Sequence, residues 1–337
     1  MGAMDLAQQN LSSPMVLFFA LGLFAALVRS DLSVPEAVAK TLALYLMLSI
    51  GFKGGVEVSK TGLSLGMLGT IGAAIVLSFV IPLIGVALLR ATTRLSLVDA
   101  AAVGAHYGSI SIVTFVAATE MLRQLGVDFE GYLIAVAAVM ETPAIVSALL
   151  IARRGRRPEA GDGNGDGNGN GNGDTGHLLR EIAFNGSIVM LVGSFLIGWI
   201  TGERGLGMIA PFIVDPFRGV LCLFLLDMGL VAGRGLRQGA RVLTPGVIAF
   251  GVYFPLVSAL LAALFALGLD LSLGGTALLI SLSASASYIA VPAAMRLALP
   301  EANPALYLTL SLGVTFPFNL TIGLPLYLAL AEVVAGV

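Results

Sequence analysis

Charge is the scarcest property of this chain. Lysine, arginine, aspartate and glutamate together supply 11% of its 337 residues, against roughly 25% in an average soluble domain. Hydrophobic residues supply 57%. A water-soluble chain of this length has nowhere to bury so much apolar surface, so a soluble domain is excluded. Cysteine is nearly absent. Cys222 stands alone and forms no disulfide within the chain, so it says nothing of redox compartment. No basic stretch precedes the first apolar run, so no cleavable signal is expected. The net charge of −2 points to no particular partner, and none of the nucleic-acid kind is expected.

What the sequence does have is one apolar run after another, separated by short charged loops. That pattern predicts an all-α polytopic membrane protein. Ten spans are expected, near 14–28, 36–52, 64–90, 97–122, 130–152, 182–200, 214–231, 245–269, 272–298 and 304–334. Between the fifth and sixth lies "RRGRRPEAGDGNGDGNGNGNGDTG", a Gly/Asn/Asp tract that reads as a flexible tether. The chain thus divides into a first five-span unit (1–152), a linker (153–180) and a second five-span unit (181–337).

The two units resemble each other. "SLVDAAAVGAHYGSISIVTFVAATEM" from Ser96 aligns without a gap on "SLGGTALLISLSASASYIAVPAAMRL" from Ser272. Ser109 falls on Ser285 and Ser111 on Ser287. "GFKGG" from Gly51 corresponds to "GLVAG" from Gly229, and "VMETPAIV" near Pro143 to "VTFPFNLT" near Pro317. Units with an odd number of spans enter the membrane from opposite sides, so the repeat is inverted. Basic residues set its orientation. Placing Arg153, Arg154, Arg156 and Arg157 in the cytoplasm also puts Arg29, Lys40, Arg90, Arg94, Arg180, Arg234, Arg237, Arg241 and Arg296 there. Lys53, Lys60, Arg123, Arg204 and Arg218 are then left outside. By the excess of lysine and arginine in cytoplasmic loops, both termini are expected outside and the linker inside a bacterial plasma membrane.

Serine falls on every second residue of "SLSASASYIAVPAAMR": Ser281, Ser283, Ser285, Ser287. An extended segment carries such a set on one face; a helix scatters it. From Ser272 to Ala284 is about 20 Å of helix at 1.5 Å per residue, so a break after Ala284 falls near the midplane. Pro292 suits the first turn of a second half-helix starting near Ile289. The matching break in the first unit is "AHYGSIS", with Gly108 as its flexible residue and a half-helix from Ile112. Because the units are inverted, the two half-helix N-termini should meet. Unpaired N–H groups and the positive dipole ends then converge on one point and favour a small anion. The candidate anion site is Gly108, Ser109, Ile110, Ser111, Ser285, Ala286, Ser287 and Tyr288.

Glu141 is an acidic residue inside an apolar span, where it holds a cation, carries a proton or pairs with a buried donor. With Thr142 and Asn319 it makes the candidate cation site. His106, Asp227 and Thr315 are candidates for the path or gate. A hydrolase built on His106 and Ser109 lacks an activating third group, so no enzyme is expected.

The serine break running into "PAAMRLALPEANPALYL", together with "GSIS", "ETPA" and "GGVEV", resembles the sodium-dependent bicarbonate transporters known from cyanobacteria. The resemblance covers essentially the whole chain. It implies ten helices as a five-plus-five inverted repeat, with two discontinuous helices crossing near the midplane in a core that moves against a gate. It further implies a homotrimer, sodium-driven bicarbonate uptake and control by a PII-like protein on the cytoplasmic face. Sodium is the expected coupling ion and no cofactor is expected. The chain departs from the family's pattern at Tyr288, where an acidic residue is expected, and at Glu141, which stands for an aspartate. A proton-coupled carrier of another small carboxylate, or an anion sensor signalling to a cytosolic partner, remain the alternatives.

Overall fold

The computed structural model describes residues 11–62, 64–155, 186–239, 242–288, 291–292, 295 and 299–336. The linker tract and the start of the half-helix expected from Ile289 lie outside them. The described elements are helices throughout: α1 (Pro14–Leu27), α2 (Glu36–Thr61), α3 (Leu65–Thr92), α4 (Leu97–Gly108), α5 (Ile112–Gln124), α6 (Leu133–Gly155), α7 (Gly186–Ile213), α8 (Phe217–Gly239), α9 (Pro245–Ala266), α10 (Leu273–Ser283) and α11 (Pro304–Ala335). Among the described residues, seven spans are long and apolar enough to cross a bilayer, with α4 and α5 counted together as one. Helices α1 and α10 are apolar but shorter. The chain is an all-α polytopic membrane protein.

The sequence places the starts of several helices. Ser13 accepts from Val16 N–H ahead of Pro14, Ser64 accepts from Met67 N–H, and Pro245 opens α9. Each satisfies or removes an N–H that the first turn cannot bond internally. Two ends differ from the pattern of hydropathy. Helix α2 runs on to Thr61, nine residues past its expected end, because Gly54 and Gly55 are packing residues and not a loop: a Cβ on Gly55 would come 2.6 Å from Trp199 N. Helix α7 turns sharply at Gly202, whose φ of 55° suits glycine, and continues to Ile213 as an amphipathic segment.

Helices α1, α2, α7 and α8 pack in two intimate pairs, α2 on α7 and α1 on α8. Glycine lets their backbones meet. Gly22 lies against Leu230 while Gly198 lies against Phe52; Gly51 meets Phe195 while Gly229 meets Phe19; Gly55 meets Trp199 while Gly233 meets Leu23. The remaining helices form a second group around α4, α5 and α10, which are almost wholly buried.

Helix α11 is discontinuous in another way. Its winding widens to π turns at Ser311–Thr315 and Asn319–Gly323. Each wide stretch ends within two residues of a proline, Pro317 or Pro325, that has no N–H to donate to the preceding turn.

Candidate functional site

Two breaks meet in the middle of the second helix group. The first is Ser109–Ser111, extended at Ser109 (φ −90°, ψ 163°), between α4 and α5. The second follows α10 at Ser285–Ser287. Only these last two of the four alternating serines lie outside the helix. Ser281 and Ser283 are helical, and Ser281 Oγ donates back to Ala277 O at 2.7 Å. The helices leading in start from matched serine caps: Ser96 Oγ accepts from Asp99 N–H and Ser272 Oγ from Gly275 N–H, both at 3.0 Å.

Loop contacts give the two broken helices opposite directions. The segment after α5 reaches the start of α10, where Ser272 N–H donates to Glu130 Oε1 at 2.6 Å and Ser272 Oγ to Glu130 Oε2 at 2.9 Å. The segment after the second break reaches the start of α4, where Asn303 N–H donates to Asp99 Oδ1 at 2.9 Å. Each broken helix therefore begins where the other ends.

The breaks are joined directly. Ser111 N–H donates to Ser285 Oγ at 2.8 Å, and Ser285 Oγ donates in turn to Leu282 O at 2.7 Å. Ser287 N–H donates to His106 O at 2.7 Å. Ser111 Oγ accepts from Thr114 N–H at 3.2 Å and caps α5. The corresponding serines are thus not equivalent. Ser285 is a strut spent on both sides, whereas Ser109 Oγ is buried with no hydrogen-bond partner among the described residues. The Ser287 hydroxyl is buried and makes no hydrogen bond among the described residues.

Gly108 is the last residue of α4 and not a hinge within the break. A Cβ there would strike the Pro82 ring and come 3.0 Å from Ala144 Cβ, so glycine is needed for a close approach. Ile110 and Ala286 line the crossing as buried apolar residues. Tyr288 is buried beside Phe316, ring centroids 5.3 Å apart. Its hydroxyl faces Ser111 without reaching hydrogen-bond geometry.

The three residues of the candidate cation site lie on two elements. Glu141 is buried on α6, where its Oε2 has no partner among the described residues, and Ala144 one turn on packs against Gly108 at the end of α4. Thr142 is in the same helix, and its side chain lies outside the described residues. Asn319 lies on α11 and is bonded to the end of α10 just before the second break. Its Nδ2 donates to Ala284 O at 2.9 Å, and its Oδ1 accepts from Tyr327 OH at 2.6 Å. One lone pair remains on Asn319 Oδ1 and on Ala284 O, so both can still ligate.

His106 is wholly buried, donates from Nδ1 to Ala102 O at 2.7 Å and stacks on Tyr307 at 4.5 Å. Its Nε2 is left as a buried acceptor without a partner. Thr315 is a structural link: Tyr107 OH donates to its Oγ1 at 2.5 Å, and Oγ1 donates to Gly251 O at 2.8 Å. Asp227 is buried on α8, away from the breaks in sequence and on the other helix group.

Two polar groups beside the breaks have no counterpart among the expected site residues. Thr114 Oγ1 and Ser283 Oγ are buried and unpartnered. Thr114 stands in the first turn of α5, three residues from Ser111, and Ser283 is the next serine before the second break, so both were within reach of the sequence pattern. Buried polar atoms are rarely left unpaired. Both lie beside the crossing, as does Ser109 Oγ. Among the described residues, no group of three or more His, Cys, Asp or Glu side chains could hold a metal ion.

Buried, crossed, discontinuous helices with non-helical backbone at the centre of an apolar bundle place the chain among helical membrane transporters. The chain belongs to the Na+-dependent bicarbonate transporter superfamily, matched over residues 14–332. This is a family of transporters and not of enzymes. No match was found among curated proteins.

Proposed function

We propose that the protein is a secondary active transporter that takes up bicarbonate, or a similar small anion, with sodium. The observation that carries this reading is the crossing of the two breaks. The serine-capped N-terminus of α5 and the hydroxyls of Ser109, Thr114 and Ser283, unpartnered among the described residues, supply hydrogen-bond donors and a positive dipole end at one buried point. Neither break contains lysine or arginine, so a small anion is held without a fixed counter-charge that would slow its release. In this reading Ser109, Ile110, Ser111, Ser287 and Tyr288 surround the anion, and Ser285 with Ala286 holds the crossing. Sodium binds by Glu141, Thr142 and Asn319 and organises the breaks.

The five-plus-five inverted repeat belongs to the same proposal. The paired glycine contacts of α1, α2, α7 and α8 support it, because each contact between the units has a mate with the roles of the units exchanged. The α1, α2, α7, α8 group is then the gate and the remaining helices the moving core, in a plasma membrane with the linker cytoplasmic. A trimeric assembly and a PII-like regulator on the cytoplasmic face follow from the resemblance.

A second reading, proton coupling, is favoured by Glu141 Oε2, a buried carboxylate oxygen with no partner. One experiment separates the two. Labelled bicarbonate uptake into proteoliposomes is measured with an inward sodium gradient at equal pH on both sides, and separately with an inward proton gradient and no sodium. Sodium-dependent accumulation supports the proposal. Accumulation that follows a proton gradient alone supports the second reading, and no accumulation by inserted, folded protein removes both.

A further inference from the structure

A cavity of about 500 Å³ opens where the two helix groups meet, at the end of the bundle reached by α5. Its walls come from α2 (Lys53, Glu57), α5 (Glu120, Arg123), the loop carrying Phe129, and the turn into α8 (Asp215, Phe217, Arg218). Three cations and three carboxylates line it, but they are not equally engaged. Glu120 is buried, forms an ion pair with Arg218 and accepts from Gln124 Nε2 at 3.4 Å. Glu57 pairs with Lys60 at 3.1 Å, and Lys60 also reaches Glu203 at 3.0 Å. Lys53 and Arg123 have no ion pair among the described residues. Each cation lies over an aromatic ring instead, Lys53 Nζ 4.4 Å from the centre of Phe217 and Arg123 5.7 Å from that of Phe129. Glu120 and Glu57 act on them only from beyond ion-pair distance, and the exposed Asp215 completes the lining.

Lys53 is the more telling of the two. It is half-buried inside α2, eight residues or about 12 Å from the helix end at Thr61. A lysine at such depth marks a functional pathway unless a carboxylate neutralises it, and here a phenyl face does that work only in part. In the aligned position of the second unit stands Val231, so the charge belongs to one end of the bundle alone. Low-dielectric walls concentrate the field of such charges at the mouth of a cleft.

We propose that Lys53 and Arg123 form an anion site in this vestibule, taking a small oxyanion or carboxylate before it reaches the crossed breaks. The guanidinium offers two parallel N–H donors to a planar carboxylate and the ammonium a point charge across from it. As a staging post for the transported anion, the site rests on the transport reading; as a binding site, it stands by itself.

The test follows Lys53 directly, since the chain has three lysines, Lys40, Lys53 and Lys60. Purified full-length protein is labelled with an amine-reactive reagent, and the rate at each lysine is read by mass spectrometry. Bicarbonate replaces chloride at constant pH and ionic strength. The expected result is slower labelling of Lys53 in bicarbonate, unchanged rates at Lys40 and Lys60, and loss of the protection in Arg123→Gln. Equal rates in the two anions, or protection that survives Arg123→Gln, overturns the site. In proteoliposomes Lys53→Met should raise the half-saturating bicarbonate concentration about fivefold or more through lost attraction of the anion. An unchanged half-saturating concentration overturns the staging role. Protection of Lys53 without any uptake by the wild-type protein leaves the site standing and removes the transport reading. Uptake without protection does the reverse.

Discussion

Serine at the crossing serves two purposes that residue type alone does not separate. Ser285 accepts from one break and donates to its own helix, so removing its hydroxyl leaves Ser111 N–H without its partner in a buried place. Leaving a buried donor unsatisfied costs about 1–3 kcal/mol. Ser285→Ala should lower the thermal midpoint in detergent by a corresponding amount. Ser109→Ala removes a hydroxyl that has no partner, so its midpoint should stay at the wild-type value or rise. If the proposed anion site is right, Ser109→Ala nonetheless weakens bicarbonate uptake. Equal destabilisation by both substitutions would contradict this division of roles. Asn319 is a similar case. It bonds Ala284 O and Tyr327 OH together, so Asn319→Ala should destabilise the protein even without sodium. Glu141→Gln should leave the fold intact and change the dependence of uptake on sodium or on pH, whichever couples.

At the scale of elements, the helix pairs depend on glycines at which backbones touch. A Cβ on Gly55 would meet Phe195 O as well as Trp199 N, both backbone atoms that cannot move independently of α7. Gly55→Leu should therefore cost about 1–3 kcal/mol or more in overpacking. Gly72→Leu on α3, where nothing lies within 4 Å, should cost little. Thermal unfolding of the two variants side by side checks this. Local sequence shows the breaks readily, because serine interrupts an apolar run in both units, beside Gly108 in the first and ahead of Pro292 in the second. It does not show how α2 ends. "GFKGG" has the composition of a loop, and only the neighbouring α7 turns it into the middle of a helix. The π turns of α11 were equally hidden, since proline announces a missing N–H but not how the preceding turn absorbs it.

At the scale of the whole molecule, the proposed topology makes a prediction about sides. On a background with Cys222→Ser, a cysteine at Leu65, exposed at the start of α3, should react with an impermeant thiol reagent added to intact cells. A cysteine at Ser30, exposed between α1 and α2, should react only after the membrane is opened. The reverse pattern would invert the orientation, and with it the outward placement of the Lys53 vestibule. The charges of that vestibule are scattered over three segments distant in the sequence. Their convergence on one cavity became visible only when α2, α5 and the start of α8 were packed together.

The sequence by itself determined that the chain lives in a membrane, where its helices start, where two of them break, and which family it belongs to. These follow from local composition and spacing, because hydropathy, capping and missing N–H groups act within a few residues of their source. Tertiary structure alone decided which serines are struts, that Asn319 is bonded to the end of α10 at the second break, and that two cations face an open cavity without an ion pair to its carboxylates. Those properties belong to pairs of groups distant in the chain, and the distance between such groups is set by packing.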